Sequence, residues 1–238
     1  MTDRTEAIIL KSFEAKEADR VYIAFSRQRG KIKFIGIGTR KPKARLASGL
    51  EPLTKSEILL VKGRMWDRAK GVLILNQYEK LKDNLEKLIP VQRIISALER
   101  IIPDEEPNEP LYYDLKFFLR SQNEKKNNDL LGLALLWKFI AWAGYTPGLF
   151  CCNTCQEKLK DQKNYKFVVP TGIVCEKCEK IIPTHFSMSQ NTIKVLRVFL
   201  QKKLEIAGKI KADKKEIETI KRLTCLMGEN ITGQKIVI

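Results

Sequence analysis

Histidine and long apolar runs are both scarce in this sequence. One histidine, His185, occurs among 238 residues, which leaves little material for a histidine-based catalytic triad. The most apolar stretch, residues 130–145, is interrupted by Lys138 and is shorter than the roughly 20 residues that a bilayer-spanning helix needs. The first residues carry no long apolar run behind their charges. We therefore expect neither a signal peptide nor a membrane anchor, and a cytoplasmic location.

Acidic residues are missing from a long stretch near the beginning of the chain. From Arg20 to Leu50 there is no Asp or Glu, and residues 1–80 hold 18 basic but only 9 acidic residues. The whole chain has 44 basic and 28 acidic residues, a formal net charge of +16. Such an excess favours polyanionic partners, although a basic surface that only confers solubility has the same composition.

The first eighty residues are predicted to form a small β-barrel. Five short runs are rich in Ile, Val, Phe and Tyr and are separated by turn-forming residues: 5–12, 19–26, 31–36, 56–61 and 72–78. Apolar residues that alternate with charged ones are typical of strands. Five strands within about eighty residues are what a closed barrel such as the OB-fold requires. We therefore assign an OB-fold nucleic-acid-binding domain to residues 1–80.

Helices are predicted from residue 83 onward, because the apolar spacing changes to the helical period. Pro90 should end or kink the first of these helices. Residues 130–145 form a buried helix, and two more helices are expected at 189–206 and 213–227. The fold class is thus α+β and multidomain. The helical domain is expected in two parts, residues 81–150 and 184–238, around an inserted element at residues 151–183.

Four of the six cysteines form two CxxC pairs. The predicted ligands are Cys152 and Cys155 in the first pair and Cys175 and Cys178 in the second, with nineteen residues between the pairs. Two such turns can aim four thiolates at one point, and this spacing is typical of a structural Zn²⁺ site without an open position for water. The alternative is a set of buried or redox-active thiols. We predict one structural zinc ion, whose binding energy contributes to folding.

The remaining cysteines and the histidine have simpler interpretations. Cys151 adjoins a ligand and could replace it in another register. Cys225 lies in a predicted helix and is interpreted as a core residue. His185 follows the second pair and is interpreted as a local hydrogen-bonding residue and not as a fifth ligand.

A cationic surface on the barrel is the predicted nucleic-acid interface. Its candidate residues share the acid-free stretch of strands and loop: Arg27, Lys31, Lys33, Arg40, Lys41, Lys43 and Arg45. Single-stranded nucleic acid is bound by cationic grooves with aromatic stacking platforms. The interleaved Phe25 and Phe34 are better explained as core residues, whereas for Tyr22 both roles stay open. For the loop cations, the alternative is a solvated charged turn.

The order of several short motifs resembles the RecO family of bacterial recombination mediators. An acidic-Ala-Asp-Arg start, a small hydroxyl residue before a Gly-Lys turn, a Gly-x-Arg-Lys loop and a Leu-x-Pro follow one another: Glu17 to Arg20, Ser26, Gly30-Lys31, Gly38 to Lys41 and Leu50 to Pro52. The segment LALLWKFIAWAGYTP and the cysteines also occur where zinc-bearing members have them. The tail GENITGQKIVI departs from the family, because a more basic and aromatic helix end is expected there.

The resemblance implies a fold and a set of partners. It implies an OB-fold, a helical domain and an embedded zinc element in a nucleoid-associated protein. Members bind single-stranded and double-stranded DNA, anneal complementary strands, work with RecR and in some cases RecF, and help RecA displace single-strand-binding protein. A second basic face in the predicted helix 189–206 could receive the acidic tail of single-strand-binding protein, and a solvated helix explains it equally well: Lys194, Arg197, Lys202 and Lys203.

Two other functions are compatible with parts of the sequence. An RNA-binding or ribosome-associated zinc module would share the charge and the barrel, because these features do not separate RNA from DNA. A nuclease would need clustered carboxylates for Mg²⁺. The scattered Asp19, Glu51 and Asp67 show no recognisable cluster spacing, so we predict no catalytic residues and no enzymatic activity.

Overall fold

The computed structural model describes residues 2–15, 17–124, 129–159, 164–180 and 186–238, without the side chain of Asn164. The chain divides into two compact units, Met1–Asn127 and Asn128–Ile238. The first unit contains a β-barrel and the second is mostly helical. The predicted α+β fold class is therefore confirmed.

Five strands form the barrel of the first unit: β1 (Thr2–Glu14), β2 (Arg20–Ser26), β3 (Gly30–Gly36), β4 (Lys55–Val61) and β5 (Asp67–Asn76). The strand order in the closed barrel is β1-β2-β3-β5-β4. Four neighbouring pairs are antiparallel, whereas β3 and β5 close the barrel as a short parallel pair. This closed five-stranded barrel is the predicted OB-fold.

The barrel interior is filled by inward-facing side chains of the alternating strands. Tyr22 and Phe34 are 2% and 0% exposed, and their rings stack with centroids 5.5 Å apart. Ile9 and Ile58 pack in the same cluster. Tyr22, whose role the sequence left open, is thus a core residue and does not present its ring to a ligand.

Three helices complete the first unit: α1 (Glu79–Lys82), α2 (Leu85–Ile101) and α3 (Glu109–Glu124). The side chain of Asn84 caps α2 by accepting a hydrogen bond from the Lys87 amide. The sequence predicted that Pro90 ends or kinks a helix, and it does not end one, because α2 continues through Pro90 to Ile101. A proline inside a helix removes one backbone hydrogen bond, here the one to the Glu86 carbonyl.

A partly buried polar contact joins α3 to the barrel. The Glu6 carboxylate on β1 accepts hydrogen bonds from Lys55 Nζ at 3.2 Å and from the Tyr112 hydroxyl at 3.0 Å. Burial would raise the pKa of Glu6, but the hydrogen bonds from Lys55 and Tyr112 outweigh it, so the pKa is lower than the ordinary value of 4.5. The charged form of Glu6 therefore stabilises the fold.

Replacing Glu6 with glutamine is expected to lower the free energy of unfolding at pH 7 by about 1 kcal/mol, because two charge-assisted hydrogen bonds weaken. The stabilisation by Glu6 is present above its unfolded pKa and is lost as the pH falls through the lower folded pKa. The variant should therefore lose less stability than the wild type between pH 5 and pH 3, a window around the ordinary value of 4.5. Urea denaturation across this range measures the difference, and parallel curves would contradict it.

The second unit is built around the helix α4 (Asp129–Trp142), which is buried nearly all round. A small sheet follows, with the order β7-β6-β8, and includes β6 (Asn164–Val168), β7 (Gly172–Val174) and β8 (Phe186–Ser189). The short helix α5 (Glu176–Glu179) lies between β7 and β8 in sequence. Three helices end the unit and pack on α4: α6 (Gln190–Gln201), α7 (Leu204–Ala207) and α8 (Lys214–Thr232).

The side chain of Trp137 lies at the centre of the second unit. It is 0% exposed, and its indole N–H donates a 2.9 Å hydrogen bond to the Thr224 hydroxyl on α8. Throughout the described part of the chain, no helix has both the length and the apolar character that a membrane crossing requires.

The compact units and the predicted domains divide the chain differently. The boundary expected at residue 80 falls inside the first unit, because α1, α2 and α3 group with the barrel. The division into 1–80, 81–150, 151–183 and 184–238 stays a prediction about domain organisation.

Candidate metal centre and nucleic-acid interface

Two backbone turns carry the predicted metal ligands in the second unit. Cys175 directly follows β7 and is the N-cap residue of α5, which contains Cys178. Cys152 and Cys155 lie in a turn in which the Gln156 amide donates to the Cys152 carbonyl at 2.9 Å. The Asn153 amide donates to the Ile173 carbonyl at 2.8 Å. This bond holds the first turn beside β7 and therefore beside the second turn.

The four sulfur atoms converge on one point. All Sγ atoms of Cys152, Cys155, Cys175 and Cys178 lie within 4.8 Å of one another, and Cys155 Sγ and Cys175 Sγ are 3.7 Å apart. A tetrahedron with Zn–S bonds of about 2.3 Å has sulfur–sulfur edges of about 3.8 Å. The thiol arrangement therefore fits a tetrahedral metal ion, and within the described residues it is the only group of this kind.

Backbone amides near Cys152 stabilise the thiolate form of this ligand. Burial would raise the pKa of Cys152, but amide hydrogen bonds from Cys155, Cys175 and Thr154 outweigh it and lower the pKa to about 6. One of these donors, the Cys175 amide, lies 3.4 Å from Cys152 Sγ. Burial and the neighbouring thiols raise the pKa of Cys178 to about 12. The site thus pre-forms one anionic ligand, and a cation would stabilise the others as thiolates.

The remaining cysteines lie outside this cluster. Cys151 donates its S–H to Gln156 Oε1 at 3.3 Å and is not one of the converging thiols. Cys225 is half-buried in α8, and burial raises its pKa. His185 is outside the described residues.

Three predicted DNA-binding cations are paired with acids of the same unit. Arg27 forms an ion pair with Glu109, and its Nε donates to the same carboxylate at 2.7 Å. The ammonium group of Lys31 lies 2.9 Å from Asp104 and also donates to the Glu99 carbonyl at 3.1 Å. Arg40 lies 3.0 Å from Glu14. These acids offset part of the charge of the acid-free stretch.

The loop after β3 carries the cations that stay unpaired. Lys41, Lys43 and Arg45 are exposed, and no acidic side chain of the described residues pairs with them. The loop is anchored at its start, because the Gly38 amide donates to Asp19 Oδ1 at 2.8 Å and the Arg40 amide donates to the Ala18 carbonyl at 3.0 Å. Three free cations thus project from a loop with a fixed base.

Lys33 contacts two aromatic rings. Its ammonium group lies 4.6 Å from the Trp66 ring centroid and 5.4 Å from that of Phe13. Phe25, on the same hairpin, is fully buried and packs against Tyr112, with ring centroids 6.2 Å apart. Phe25 and Phe34 are therefore core residues, as the sequence indicated.

The carboxylates considered for a nuclease have separate partners. Asp67 pairs with Arg29 at 2.9 Å, and Glu51 pairs with Lys82 at 3.4 Å. Asp19 caps the Gly38 amide. Each of these three acids therefore has a local role in the barrel unit.

Comparison with known proteins identifies the family. The family model described as "Recombination protein O N terminal" matches residues 1–78, and the one described as "Recombination protein O C terminal" matches residues 82–234. The chain belongs to the RecO family. Its membership agrees with the resemblance seen in the ordered motifs and makes this chain a DNA repair and recombination protein.

Curated RecO relatives match over most of their length. The chain is 26% identical over 212 residues to DNA repair protein RecO of Pelotomaculum thermopropionicum, covering 89% of this chain and 82% of that protein. It is 28% identical over 222 residues to the DNA repair protein RecO of a Roseiflexus species, covering 92% and 78%. It is 29% identical over 203 residues to that of Thermodesulfovibrio yellowstonii, covering 81% and 78%.

The predicted partner face of this RecO-family chain is not a continuous helix surface. Lys194 and Arg197 lie on α6, but α6 ends at Gln201, so Lys202 and Lys203 lie in the connection to α7. Arg197 donates to the Leu149 carbonyl at 3.0 and 2.6 Å and its guanidinium lies 4.7 Å from the Phe150 ring centroid. Lys194, Lys202 and Lys203 are exposed.

Sequence reasoning missed a second group of cations in the RecO barrel. They flank Trp66 in sequence, in the loop after β4 and the first residues of β5, and are all exposed: Lys62, Arg64, Arg68 and Lys70. In the described part of the chain no acid pairs with them. The available signal was the segment VKGRMWDRAK, which has four cations, one acid and a tryptophan.

Proposed function

We propose that this chain is a DNA-binding recombination mediator that anneals complementary strands. With RecR, and in some contexts RecF, it assists RecA loading on single-stranded DNA coated with single-strand-binding protein. Membership of the RecO family supports the repair role. The observation that carries the DNA-binding part is the group of free cations on the loop after β3, Lys41, Lys43 and Arg45.

The free loop cations suit phosphate binding better than the paired ones. Lys41, Lys43 and Arg45 form no ion pair with any described residue that would have to break before they contact phosphate. Arg40 pairs with Glu14, whose side chain is 62% exposed, and such surface pairs contribute at most about 1 kcal/mol. Phosphate can therefore replace Glu14. Lys31 has two partners and is only 15% exposed, so its role is to support the interface.

Annealing follows from charge screening and needs no chemical step. Cations that hold the backbones of two strands reduce the repulsion between their phosphates, so the bases can pair. No bond is formed or broken, and the chain is proposed to act without catalytic residues. The same backbone contacts bind single-stranded and double-stranded DNA.

Zinc is the proposed occupant of the four-cysteine site. Four thiols whose Sγ atoms all lie within 4.8 Å of one another suit the tetrahedral preference and sulfur affinity of Zn²⁺. The ion would supply structural cross-linking, with Cys152, Cys155, Cys175 and Cys178 as ligands. The exposed Lys194, Lys202 and Lys203 are proposed to receive the acidic tail of single-strand-binding protein.

Reversing two loop charges is the test of the DNA interface. In the double variant Lys41→Glu and Arg45→Glu, affinity for single-stranded DNA should fall roughly tenfold, because two phosphate contacts become repulsive. The slope of log affinity against log salt should decrease by about 0.7 for each lost contact. Fluorescence anisotropy with a labelled oligonucleotide over a salt series measures both quantities.

The matched control reverses two exposed cations on the helices of the same unit, Lys80→Glu with Arg93→Glu. It changes the net charge equally and should retain most of the affinity. Equal losses in both double variants would show that net charge, and not the loop, controls binding. A preference for a matched RNA strand would instead favour an RNA-binding role.

Annealing of complementary oligonucleotides coated with single-strand-binding protein tests the mediator role itself. The wild-type chain should accelerate duplex formation, and the Lys41→Glu and Arg45→Glu variant should do so much less. The control variant should retain most of the acceleration. No acceleration by the wild type, with RecR present or absent, would contradict the proposal.

A further inference from the structure

The loop between β4 and β5, residues 62–66, combines two free cations with two exposed or partly exposed apolar side chains. Lys62 and Arg64 are exposed, Met65 is 80% exposed and Trp66 is partly exposed. In OB-folds, the loop between the fourth and fifth strands is one of the places where oligonucleotides bind. The loop is therefore a candidate binding element, separate from the cationic loop after β3.

Local packing fixes the conformation of this loop. A Cβ atom on Gly63 would lie 2.0 Å from the Trp66 carbonyl oxygen, so the turn is tight and requires glycine. Asp67, the next residue, pairs with Arg29 at 2.9 Å and lies opposite Phe34 in the parallel closure of the barrel. Trp66 is thus held between a tight turn and a barrel strand, and its ring is pre-positioned.

The Trp66 ring lies beside a cation that forms no ion pair with an acid of the described residues. Lys33, in the middle of β3, places its ammonium group 4.6 Å from the Trp66 centroid and 5.4 Å from the Phe13 centroid. Phe13 is 37% exposed. Bases of single-stranded nucleic acid stack on aromatic rings near cationic side chains, and a base that stacks on this face of Trp66 would replace the Lys33 ammonium over the ring.

Charge near Trp66 limits the path of a bound strand. Trp66 and Lys33 line a groove of about 460 Å³ that also contains Glu99, Asp104 and Glu105, and these acids repel phosphates. Lys62, Arg64 and Arg68 do not line this groove, are exposed and have no acidic partner in the described residues. A polyanion is therefore favoured over a basic peptide along the Lys62 to Arg68 side.

We propose that Trp66 is a stacking platform for an unpaired base of DNA, with Lys62 and Arg64 contacting the adjacent phosphates. This inference rests on the proposed DNA-binding function and adds the discrimination between single strands and duplexes. Bases in a duplex are already stacked on one another and cannot stack on Trp66. The cations of the loop after β3 bind the backbone of either form, whereas Trp66 binds only single strands.

The test compares Trp66→Ala with the wild-type chain on matched single-stranded and duplex oligonucleotides. Loss of one stacked base should weaken single-strand binding about tenfold and leave duplex binding within about twofold. Trp66→Phe retains an aromatic face and should recover most of the single-strand affinity. The neighbouring variant Met65→Ala should bind both forms like the wild type.

Tryptophan fluorescence supplies a second readout that does not depend on the stability of the alanine variant. The chain has three tryptophans, and single-stranded DNA should quench the wild-type emission more than that of Trp66→Phe. Equal quenching, or an equal loss of single-strand and duplex affinity in Trp66→Ala, would overturn the stacking role. The stacking role would also be overturned if Trp66→Ala weakened only the binding of a protein partner and not that of DNA.

The outcomes separate this inference from the proposed function. Reduced binding in the Lys41→Glu and Arg45→Glu variant together with unchanged binding in Trp66→Ala would overturn the stacking role alone. Absence of DNA binding by the wild-type chain would overturn both.

Discussion

Loss of the metal ion is expected when Cys178 is replaced with serine, and the segment around the site, residues 148–180, should then become susceptible to proteolysis. Cys178 is 8% exposed and is packed with Cys152 and Val174. Structural zinc sites contribute about 10–16 kcal/mol in isolated zinc fingers. This cluster has few other apolar contacts to replace the ion. Metal analysis should give one ion per wild-type chain and none per variant, and limited proteolysis should locate the change.

Two cysteines outside the site provide matched controls. Cys151→Ser and Cys225→Ser should each retain one bound ion, because neither thiol belongs to the converging set. A strong chelator should reproduce the Cys178→Ser proteolysis pattern in the wild type. Wild-type protein that is purified without any metal and still resists proteolysis would refute the metal site as a folding element.

Replacing Trp137 with alanine is expected to destabilise the second unit by about 3–5 kcal/mol, the usual cost of removing a buried aromatic side chain. Trp137 is 0% exposed on a helix that contacts α6, α7 and α8. Its loss leaves a cavity where these helices meet α4, and it removes the hydrogen bond to Thr224. Chemical denaturation monitored by circular dichroism measures the change.

Trp137→Phe separates the two contributions. It keeps most of the ring volume but cannot donate to the Thr224 hydroxyl, so we expect a loss of about 1–2 kcal/mol. A phenylalanine variant that is as unstable as the alanine variant would show that the hydrogen bond, and not packing, dominates at this position.

The metal cluster was predictable because the spacing of its cysteines is visible in short stretches of the sequence. A CxxC turn brings two thiols together wherever it occurs, and two turns with nineteen residues between them need only one hairpin to meet. Here β6 and β7 form that hairpin, and the bond from Asn153 to Ile173 joins it to the first turn. The barrel was predictable for a similar reason, since strand alternation and turn residues are visible in short windows.

Which cations of the barrel surface are paired with acids was not predictable from the sequence, because the acidic partners are distant in the chain. Glu109 neutralises Arg27 from 82 positions away, and Asp104 reaches Lys31 from a connection between two helices. Counting acids between Arg20 and Leu50 finds neither partner. The predicted set therefore includes free cations such as Lys41 and paired ones such as Arg27.

The position of aromatic rings was only partly predictable. Tyr22 lies in a run of apolar residues between Arg20 and Arg27, which does not tell which face of the strand it occupies, and strand register directs it inward against Phe34. Trp66 was overlooked because it precedes β5, which begins at Asp67 and not at residue 72 as expected. Only the parallel pairing of β3 and β5 brings Trp66 near Lys33.

The acids that neutralise Arg27 and Lys31 also limit what can be learned from a shortened protein. Both Glu109 and Asp104 lie beyond residue 80, as does Tyr112, the hydroxyl partner of Glu6. A truncation after residue 80 would keep every barrel cation but discard these counter-charges. Such a fragment would attract polyanions more strongly than the intact chain. Affinities for DNA measured on it would therefore overestimate those of the whole molecule.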